Sequence, residues 1–405
     1  MFLEERRAKI LLMLIEHERV TVNNLAKLFC VSKETIRSDL SFLVQNQVIV
    51  RCYGGAILNK KNILTSFEKG MLSSINNLLK HQDTKKTMNE EKKGNVCILG
   101  SFNVDIVSHV SRLPKPGETL ISKSCAFGPG GKGANQAIAA SNAKSKVHFI
   151  TKVGNDQFNS FAYNHLESSR ITSLTVYVSE EAPTGNAVIY VSESDGENII
   201  AINQGANITI SDEEICNIFN KITHSSVFLV QLENNLFAIR KAVKYAKNNN
   251  VTVILNPAPM NMDLIELLPF IDIITPNQTE ATLLSGIEVI DIESAKQSAK
   301  IISGMGPQCV IITLGSKGGL LLEKDEYSVI LAYPAIAIDT TGAGDAFNGA
   351  LAAALAKGGS IKYACNYASA FSSLAVELNG ASNMPQHEDV IVRLNQLNTQ
   401  KCKIG

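Results

Sequence analysis

The sequence predicts an α/β protein with a parallel sheet, preceded by a small helical module. From Asn95 onward, short apolar runs rich in β-branched residues alternate with amphipathic stretches, and Gly, Pro or Asn bounds the runs. Buried strands separated by helices are typical of βαβ units, which build parallel sheets. Before residue 59 the apolar residues recur at helical spacing instead. The strand candidates are VCILG, VHFITKVG, SVFLVQLE, VTVILNPAP, IDIITPN and CVIITLG.

The first 58 residues are predicted to form three helices and a hairpin. The first helix is ERRAKILLMLIEHE, Thr21 can cap VNNLAKLF, and Ser32 can cap KETIRSDLSFLVQNQ. Because only CVS separates the last two helices, they fit a helix-turn-helix, in which the start of the second helix enters a DNA major groove. The run VIVRCYGGAIL fits a β-wing. The pattern alone fits a small protein-binding helical domain equally well.

The run SKETIRSDL at 32–40, followed by RCYGGA, resembles the DeoR-type winged helix-turn-helix of bacterial sugar-operon repressors. The resemblance covers residues 1–58 and implies binding of double-stranded DNA, with Asp39 bracing the helix. The residues expected to contact DNA are Lys33, Thr35, Arg37 and Ser38 on the helix and Arg51 and Tyr53 on the wing. Residues 59–94 are polar and Lys-rich, and are predicted to be a linker.

Composition and charge agree with this division. With 405 residues, 45% of them hydrophobic, the chain is long enough for two or three globular domains. Its formal net charge is zero, but residues 1–94 hold 16 Lys and Arg against 10 Asp and Glu, which suits a nucleic-acid-binding module. Eight scattered cysteines without a CxxC pair favour reduced thiols in the cytoplasm. The N-terminus is charged and no apolar run approaches about 18 residues, so neither a signal peptide nor a membrane span is predicted.

A glycine-rich turn, GPGGKG at 128–133, is the first candidate binding element. A dinucleotide-binding fingerprint requires a strand leading into the turn and an acidic residue about 20 positions later, and the strand that follows has no acid at its end until Asp156. A P-loop is excluded because Lys132 is followed by Gly rather than Ser or Thr. The turn therefore brings backbone close to a polar ligand, with Lys132 and Asn135 beside it, or is a plain tight turn at a helix start.

A second glycine loop, DTTGAGDAFNGA at 339–350, combines features of an anion site with a carboxylate. Gly342, Ala343 and Gly344 let successive N–H groups point one way at the start of a helix, where the helix dipole also favours an anion. Asp345 would repel a phosphate there unless it takes part in the chemistry. It can accept the proton of an attacking hydroxyl while the N–H groups stabilise the transferred phosphoryl oxygens. For this motif alone, a helix-capping role for Asp345 is the stronger alternative.

Other polar residues follow predicted strands, at the edge where open α/β sheets bind ligands. Asn103 and Asp105 in SFNVD suit sugar hydroxyls, and Glu233 ends another strand. TLGSKGG offers a second glycine turn for a nucleotide. Asn277 and Glu280 suit phosphate and hydrated Mg²⁺. Phosphoryl transfer requires this combination of hydroxyl, nucleotide and cation sites.

GGKGANQA at 130–137 and DTTGAGDAFNGA together resemble the two signatures of the ribokinase (PfkB) family of sugar kinases, and the likeness runs from residue 95 to about 395. The resemblance implies a doubly wound α/β domain over 95–400, with a small β-sheet lid at about 106–126 and 174–202. It implies sugar binding by Asn103, Asp105, Gly131, Lys132, Asn135, Glu233 and Asp345. It implies ATP binding by Asn256, Thr313, Gly315, Lys317, Gly318 and Gly344. It implies an anion hole at Gly342, Ala343 and Gly344, with Asp345 as the catalytic base.

The same resemblance implies Mg²⁺, held through water by Asn277 and Glu280, and a monovalent cation, K⁺. The matching positions for K⁺ are Asp339, Thr341, Ala375 and Gly380. Three residues depart from the family pattern. Lys144 stands where Gly or Ser is usual, Ser369 replaces a larger polar residue, and Met384 replaces a hydroxyl residue of the cation site. Ser382 or water is the expected substitute for that hydroxyl.

The resemblance therefore predicts a kinase that converts D-ribose and ATP to D-ribose 5-phosphate. The lid implies a homodimer, and the fused DNA-binding domain implies a transcriptional regulator of pentose genes. The alternatives are a deoxyribokinase or another pentose kinase, and a sugar-sensing repressor with an inactive kinase fold. The intact polar set argues against the repressor, because a sensor does not need a base. Asn103 and Asp105 favour ribose over 2-deoxyribose, since a buried polar group left unpaired costs about 1–3 kcal/mol.

Overall fold

The computed structural model describes residues 6–7, 10, 13–14, 19–29, 31–45, 49–58, 92–195 and 197–401. The chain forms two compact units, one within residues 1–90 and the other within residues 91–405. The predicted linker up to residue 91 and most of the predicted first helix lie outside the described residues. No helix in the described ranges is both long and apolar enough to cross a membrane.

Among the described residues, the smaller unit contains two helices with described bounds and a three-stranded sheet, and residues 6–7, 10 and 13–14 are also helical. Its elements are β1 (Arg19–Thr21), α1 (Val22–Phe29), α2 (Lys33–Gln45), β2 (Ile49–Cys52) and β3 (Gly55–Leu58). The Thr21 hydroxyl accepts a hydrogen bond from Asn24 N at 3.3 Å, and the Ser32 hydroxyl accepts one from Thr35 N at 3.1 Å. Both caps therefore form as the sequence predicts. Strand β3 pairs antiparallel with β1 and with β2, which gives the predicted wing.

Asp39 ties helix α2 to the segment that precedes the sheet. Its fully buried carboxylate accepts hydrogen bonds from Arg6 Nε at 2.6 Å and from Arg7 Nε at 2.9 Å. The same helix buries Ile36 and Leu40 completely. Asp39 is therefore a structural residue, as expected.

The strands of the larger unit, in chain order, are β4 (Asn95–Leu99), β5 (Asn103–Val110), β6 (Ser124–Gly130), β7 (Lys146–Gly154), β8 (Ser173–Ser179), β9 (Gly185–Ser192), β10 (Asn198–Asn203), β11 (Val227–Val230), β12 (Thr252–Leu255), β13 (Ile273–Ile274), β14 (Cys309–Thr313), β15 (Gly319–Glu323) and β16 (Glu326–Ile330). Its α-helices are α3 (Lys132–Asn142), α4 (Asn159–Ser168), α5 (Asp212–Asn217), α6 (Phe219–Thr223), α7 (Leu236–Asn248), α8 (Gln278–Ser285), α9 (Ile292–Gly304), α10 (Ala343–Ala356), α11 (Ile361–Ala375) and α12 (His387–Lys401). Within the described part of this unit, 3₁₀ helices cover Gly205–Thr209, Met262–Phe270 and Gly315–Lys317.

Nine of these strands form the main sheet, in the order β16-β15-β14-β13-β12-β11-β4-β7-β8. Strands β14 to β8 of this order run parallel, and β15 and β16 extend the edge antiparallel. From β4 the chain winds outward through β7 and β8, then crosses back to β11 and winds the other way. The order reverses between β4 and β11, and open α/β sheets bind ligands at such a point.

Helices cover both faces of the main sheet, so the domain is doubly wound. Helices α3, α10 and α11 enclose one apolar core, and α7 and α9 enclose the other. The two helices that carry the glycine signatures, α3 and α10, pack directly on each other. A Cβ at Gly349 would lie 2.3 Å from the Gln136 carbonyl oxygen, so this close approach requires glycine.

A separate four-stranded sheet has the order β10-β9-β5-β6. The predicted lid segments, 106–126 and 174–202, need correction, because residues 174–179 lie in β8 of the main sheet. The alternating sequence SLTVYVS fits either sheet, and the crossover through α4 sets it parallel to β7. The small sheet also begins earlier, at Asn103, and extends to Gly130 on its second strand.

Candidate active site

The site lies at the carboxyl ends of β4 and β11, where the order of the main sheet reverses. Ser101 and Asn103 follow β4, and Gln231 and Glu233 follow β11. All four side chains are buried. The site therefore occupies the position that the strand order favours for ligand binding.

The loop before α10 presents an uncapped helix N-terminus. Gly342 is the N-cap residue at φ +80°, and no side chain of the described residues caps this helix. A Cβ at Gly342 would lie 2.8 Å from the Ala381 carbonyl oxygen, whereas a Cβ at Gly344 would meet no atom within 4 Å. The Ala343 N–H donates to Thr340 O at 3.2 Å. Gly342 is thus required by packing, and Gly344 keeps the approach to the helix end open.

Asp345 lies inside this helix, and its buried carboxylate accepts two side-chain hydrogen bonds. Asn135 Nδ2 donates to Oδ2 at 3.1 Å, and Gln136 Nε2 donates to Oδ1 at 2.9 Å. Both donors belong to α3, so the two glycine signatures meet at this carboxylate. Asp345 does not cap its helix, which removes the alternative that the sequence left open.

Two buried glutamines extend the network behind Asp345, and sequence reasoning missed both. Gln231 Nε2 donates to Gln136 Oε1 at 2.6 Å, and Gln136 Nε2 also lies 3.1 Å from Asn256 Oδ1. Each glutamine has 0% exposure. The only signal in the sequence was their position, one residue after Asn135 and two before Glu233.

Asn207 organises the predicted sugar-binding loop. Its Nδ2 donates to Asn103 Oδ1 at 2.8 Å and to the Phe102 carbonyl at 3.0 Å, and its Oδ1 accepts from Phe102 N at 3.1 Å. Asn207 lies in the 3₁₀ helix that follows β10. It links the end of the small sheet to Asn103, and no sequence motif predicts that link.

Glu233 is held by the turn that begins α3. Its Oε2 accepts a hydrogen bond from Lys132 N at 3.1 Å and a further one from the Ser101 hydroxyl. Gly131 adopts φ +92°, and a Cβ there would lie 2.8 Å from Asn103 N. A Cβ at Gly130 would lie 2.3 Å from the Asp105 carboxylate. The glycine turn thus lets the predicted sugar-binding residues approach one another closely.

The site concentrates negative charge around one lysine. Burial, reinforced by Glu233 and Asp345, raises the pKa of Asp105 to about 6. The charge of Asp345 raises the pKa of Lys132 despite its burial, and Glu233 and Glu280 act in the same direction. Lys132 therefore stays protonated beside these carboxylates. The carboxylates around Lys132 can accept hydrogen bonds from the hydroxyl groups of a neutral polyol.

A cavity of about 190 Å³ adjoins Asp345. It is lined by Lys132, Asn256, Ala258, Thr275, Asn277, Glu280, Thr313, Thr340, Gly342, Ala343, Gly344, Asp345 and Asn348. The predicted anion hole and four predicted nucleotide or Mg²⁺ residues, Asn256, Thr313, Asn277 and Glu280, therefore come together. Gly315, Lys317 and Gly318 do not line this cavity; Lys317 Nζ instead donates to Ile290 O at 3.3 Å.

Asn277 and Glu280, the predicted Mg²⁺ residues, form a capping box at the start of α8. Asn277 Oδ1 accepts from Glu280 N, and Glu280 Oε2 accepts from Asn277 N, each at 2.9 Å. Burial raises the pKa of Glu280, while the Asn277 N–H and Lys132 oppose this change. The box fixes both side chains at the wall of the cavity.

Asp339 connects the two loops of the predicted K⁺ site. Its Oδ1 accepts from Thr341 N at 2.8 Å, and its Oδ2 accepts from Gly380 N at 2.9 Å. Burial acts to raise the pKa of Asp339, but these hydrogen bonds outweigh it and lower the pKa. Ala375 ends α11, and its carbonyl accepts from Leu378 N at 3.0 Å. The atoms available as cation ligands are oxygens beside an ionised carboxylate. Oxygen ligands of this kind fit a hard cation.

The three residues that depart from the family pattern each make defined contacts. Lys144 adopts φ +61° just after α3 and pairs with Glu388. The Ser369 hydroxyl donates to Leu331 O at 2.5 Å. The Met384 side chain is buried, and its carbonyl accepts from Asn142 Nδ2 at 2.9 Å.

In the smaller unit, the residues predicted to contact DNA lie along α2 and the wing. Lys33, Arg37 and Ser38 are exposed, and Thr35 is half-buried. Arg51 Nη2 donates to Arg37 O at 2.6 Å and to the Ser41 hydroxyl at 3.0 Å, which fixes the wing against the helix. The Tyr53 side chain at the tip of the wing is fully exposed.

Comparison with known proteins places both parts of the chain. The pfkB family carbohydrate kinase profile matches residues 93–388, and the DeoR-like helix-turn-helix domain profile matches residues 6–62. The chain is 40% identical to a ribokinase of Haemophilus influenzae over 302 residues, covering 73% of this chain and 97% of that protein. It is 34% identical to a deoxyribokinase of Salmonella typhi over 292 residues, covering 71% and 94%.

Solved structures give the same result. A ribokinase of Thermotoga maritima superposes with a TM-score of 0.67 at 34% identity, covering 74% of this chain and 99% of that one. An Arabidopsis thaliana ribokinase complexed with ribose and ATP gives a TM-score of 0.67 at 33% identity, covering 74% and 98%. These findings confirm the predicted fold and class of enzyme. The chain belongs to the pfkB family of carbohydrate kinases, and it carries a DeoR-like helix-turn-helix domain ahead of the kinase domain.

Proposed function

We propose that the chain is an ATP-dependent ribokinase that forms D-ribose 5-phosphate. The observation that carries this proposal is the Asp345 carboxylate, held by Asn135 and Gln136 at an uncapped helix N-terminus. Asp345 takes the proton of the sugar 5-hydroxyl as that oxygen bonds to the γ-phosphorus of ATP, and the bond to ADP breaks. The N–H groups of residues 342–345 stabilise the charge on the transferred phosphoryl group.

The sugar is held by the polar side chains that the sequence predicts for sugar binding. Asn103, Asp105 and Glu233 supply amide and carboxylate groups for hydroxyls, and Lys132 and Asn135 complete the set, with Gly131 shaping the turn. Asn207 and Ser101 hold Asn103 and Glu233 in place. A sugar bound here places one hydroxyl at the base.

ATP occupies the cavity beside α10, with its phosphates toward Gly344. Thr313 and Asn256 line this cavity, and the turn at Gly315, Lys317 and Gly318 extends the nucleotide site. Asn277 and Glu280 would hold Mg²⁺ through water, and this ion would neutralise phosphate charge. Asp339, Thr341, Ala375 and Gly380 would hold K⁺ through oxygen atoms.

A deoxyribokinase is the second candidate, because relatives of that name are 34% identical to this chain. Asn103 and Asp105 favour ribose, since both are polar and Asn103 is buried while Asp105 is half-buried. Measuring kcat/KM for D-ribose and 2-deoxyribose with the same enzyme decides between them. A higher value for 2-deoxyribose would reverse the assignment.

We propose that the smaller unit binds double-stranded DNA and regulates pentose genes. Lys33, Arg37 and Ser38 on α2 form its exposed face, and Arg51 holds the wing beside them. The fusion itself supports a coupling between sugar metabolism and DNA binding. Gel-shift titrations at fixed salt, with and without ribose, its phosphate or ATP, test the coupling; operator affinity unaffected by every ligand would refute it.

The small sheet supports a homodimer. All six residues of β10 are exposed, including Ile199, Ile200 and Ile202, each about half exposed. An exposed edge strand with this many apolar side chains is suited to pairing with another chain. Sedimentation equilibrium tests the proposal, with Ile200→Lys expected to shift dimer toward monomer.

We place the protein in the cytoplasm, where ATP and DNA are both available.

A further inference from the structure

Ser382 joins the predicted cation loop to the residues around the base. Its hydroxyl lies 2.8 Å from Asn135 Oδ1 and 2.9 Å from the Pro129 carbonyl oxygen, so its proton is shared between two acceptors. Asn135 Nδ2 in turn donates to Asp345 Oδ2 at 3.1 Å. A continuous line of hydrogen bonds runs from Ser382 through one amide to the carboxylate.

These contacts fix the orientation of the Asn135 amide. Its oxygen faces the Ser382 hydroxyl and its NH₂ faces Asp345; the reverse orientation would set an amide oxygen against a carboxylate. Asn135 is only 4% exposed, so a partner lost from its oxygen is not readily replaced by bulk water. The Ser382 hydroxyl therefore helps to specify which way the amide points.

The loop that carries Ser382 is anchored on both sides of this residue. Gly380 N donates to Asp339 Oδ2 at 2.9 Å, and Asn142 Nδ2 donates to Met384 O at 2.9 Å. Because Asn135 and Asn142 both lie in α3, the loop is attached to that helix at two points. Ser382 is thus held at the sugar-binding helix by the fold.

We propose that Ser382 is a positioning residue for sugar binding, which holds the Asn135 amide toward the sugar and Asp345. The inference rests on the proposed function, because that function assigns Asn135 to the sugar. It differs from the role expected from the sequence, in which Ser382 or water replaced the hydroxyl missing at Met384. The hydroxyl instead serves two residues of the glycine turn and α3.

Calorimetric titration of the full chain with D-ribose tests the proposal without turnover. Ser382→Ala removes the donor and is expected to raise the Kd for ribose about 3- to 10-fold, the effect of one lost hydrogen bond. Ser382→Thr keeps a hydroxyl and restores the affinity. Asn383→Ala is the matched control: this exposed neighbour donates to Asn379 O instead, and the Kd stays at the wild-type value.

A double-mutant cycle identifies the residue through which Ser382 acts. In an Asn135→Ala background, Ser382→Ala is expected to cause no further loss of affinity, because its partner is absent. Additive losses, or a wild-type Kd for Ser382→Ala alone, would overturn the proposal. If the wild-type chain binds ribose but releases no ADP from ATP, the kinase assignment is refuted. The role of Ser382 can still be tested in that case, because the titration measures sugar binding alone. A wild-type chain that binds no ribose would overturn both.

Discussion

Gln136 Nε2 lies 2.9 Å from Asp345 Oδ1, and this hydrogen bond joins the N-terminal halves of α3 and α10. Gln136 is in turn held by Gln231, whose Nε2 lies 2.6 Å from Gln136 Oε1. The proposed base is therefore oriented by a buried amide that itself has a fixed partner. Groups oriented in this way are the means by which an active site maintains its geometry.

Replacing Gln136 with Met is expected to lower kcat about 10- to 100-fold, because it removes a hydrogen bond to a charged group. The volume is nearly conserved, but Gln231 Nε2 loses its buried partner, so the free energy of unfolding should also fall by about 1–3 kcal/mol. Gln308→Met, at an exposed position, is the control and should leave kcat unchanged. A Gln136→Met enzyme with wild-type kcat would show that this contact does not orient the base.

Asp105 predicts a pH dependence of sugar binding. Burial, with the charges of Glu233 and Asp345, raises its pKa from 3.8 to about 6. The ionised form accepts more hydrogen bonds from sugar hydroxyls, so the Kd for ribose should fall as the pH rises from about 5 to 7. Titrations of wild type and Asp105→Asn should differ: the variant binds more weakly and loses this slope. A wild-type Kd independent of pH would contradict the assignment.

The same raised pKa has a consequence for stability. Between about pH 4 and 6 the folded chain holds the Asp105 proton more tightly than the unfolded chain does, so the free energy of unfolding falls as the pH rises. Above this range the buried charge remains unfavourable. Asp105→Asn should therefore unfold less readily at pH 8, by about 1–3 kcal/mol in the kinase unit. Denaturant titration measures this difference, and an Asp105→Asn variant that is less stable at pH 8 would refute it.

Substitutions of two glycines in α10 should have different effects, one on catalysis and the other on packing. A Cβ at Gly344 meets no atom within 4 Å, whereas a Cβ at Gly349 would lie 2.3 Å from the Gln136 carbonyl oxygen. Gly344→Ala should retain the wild-type melting temperature but lower kcat about 10-fold or more, because the methyl group obstructs phosphate at the helix N-terminus. Gly349→Ala should instead lose about 1–3 kcal/mol of stability through overpacking. Full activity of Gly344→Ala would place the phosphate elsewhere.

The smaller unit offers a similar contrast between Asp39 and Lys33. Asp39→Ala leaves Arg6 and Arg7 without their buried partner, which should cost about 3–5 kcal/mol and abolish DNA binding through unfolding of that unit. Lys33 is exposed, so Lys33→Ala should retain the fold. The variant should bind all DNA sequences more weakly, and the slope of log K against log salt concentration should fall in magnitude by about 1, because one phosphate contact is lost. Kinase activity should be unchanged in both variants. Unaltered DNA affinity of Lys33→Ala would remove it from the interface.

The position of the polar loops at the strand ends could be predicted from the sequence, because their motifs are local. Asp345 and Lys132 are both marked by adjacent glycines, and the caps Thr21 and Ser32 follow from residue type and position. The residues behind the site were not predictable in the same way. Asn207 is 104 residues from its partner Asn103, so the contact depends on the tertiary fold rather than on spacing.

The prediction that residues 174–179 belong to the small sheet was wrong for a related reason. Residues 174–179 alternate as a half-buried strand does, and periodicity does not tell which sheet they join. Ser382 similarly has the residue type expected of a cation ligand, yet its hydroxyl contacts Asn135 and Pro129. In each case residue type identified the chemistry, and packing decided the partner.

The most direct test of the kinase assignment is ADP release by the purified chain with ATP, Mg²⁺, K⁺ and D-ribose, beside Asp345→Asn. We expect ribose-dependent turnover that falls about 10²-fold or more in the variant, because the hydroxyl proton loses its acceptor. Absence of turnover with ribose, 2-deoxyribose or any other pentose, in a protein that still binds sugar, would contradict the account. The chain would then be a sugar-sensing repressor with an inactive kinase fold.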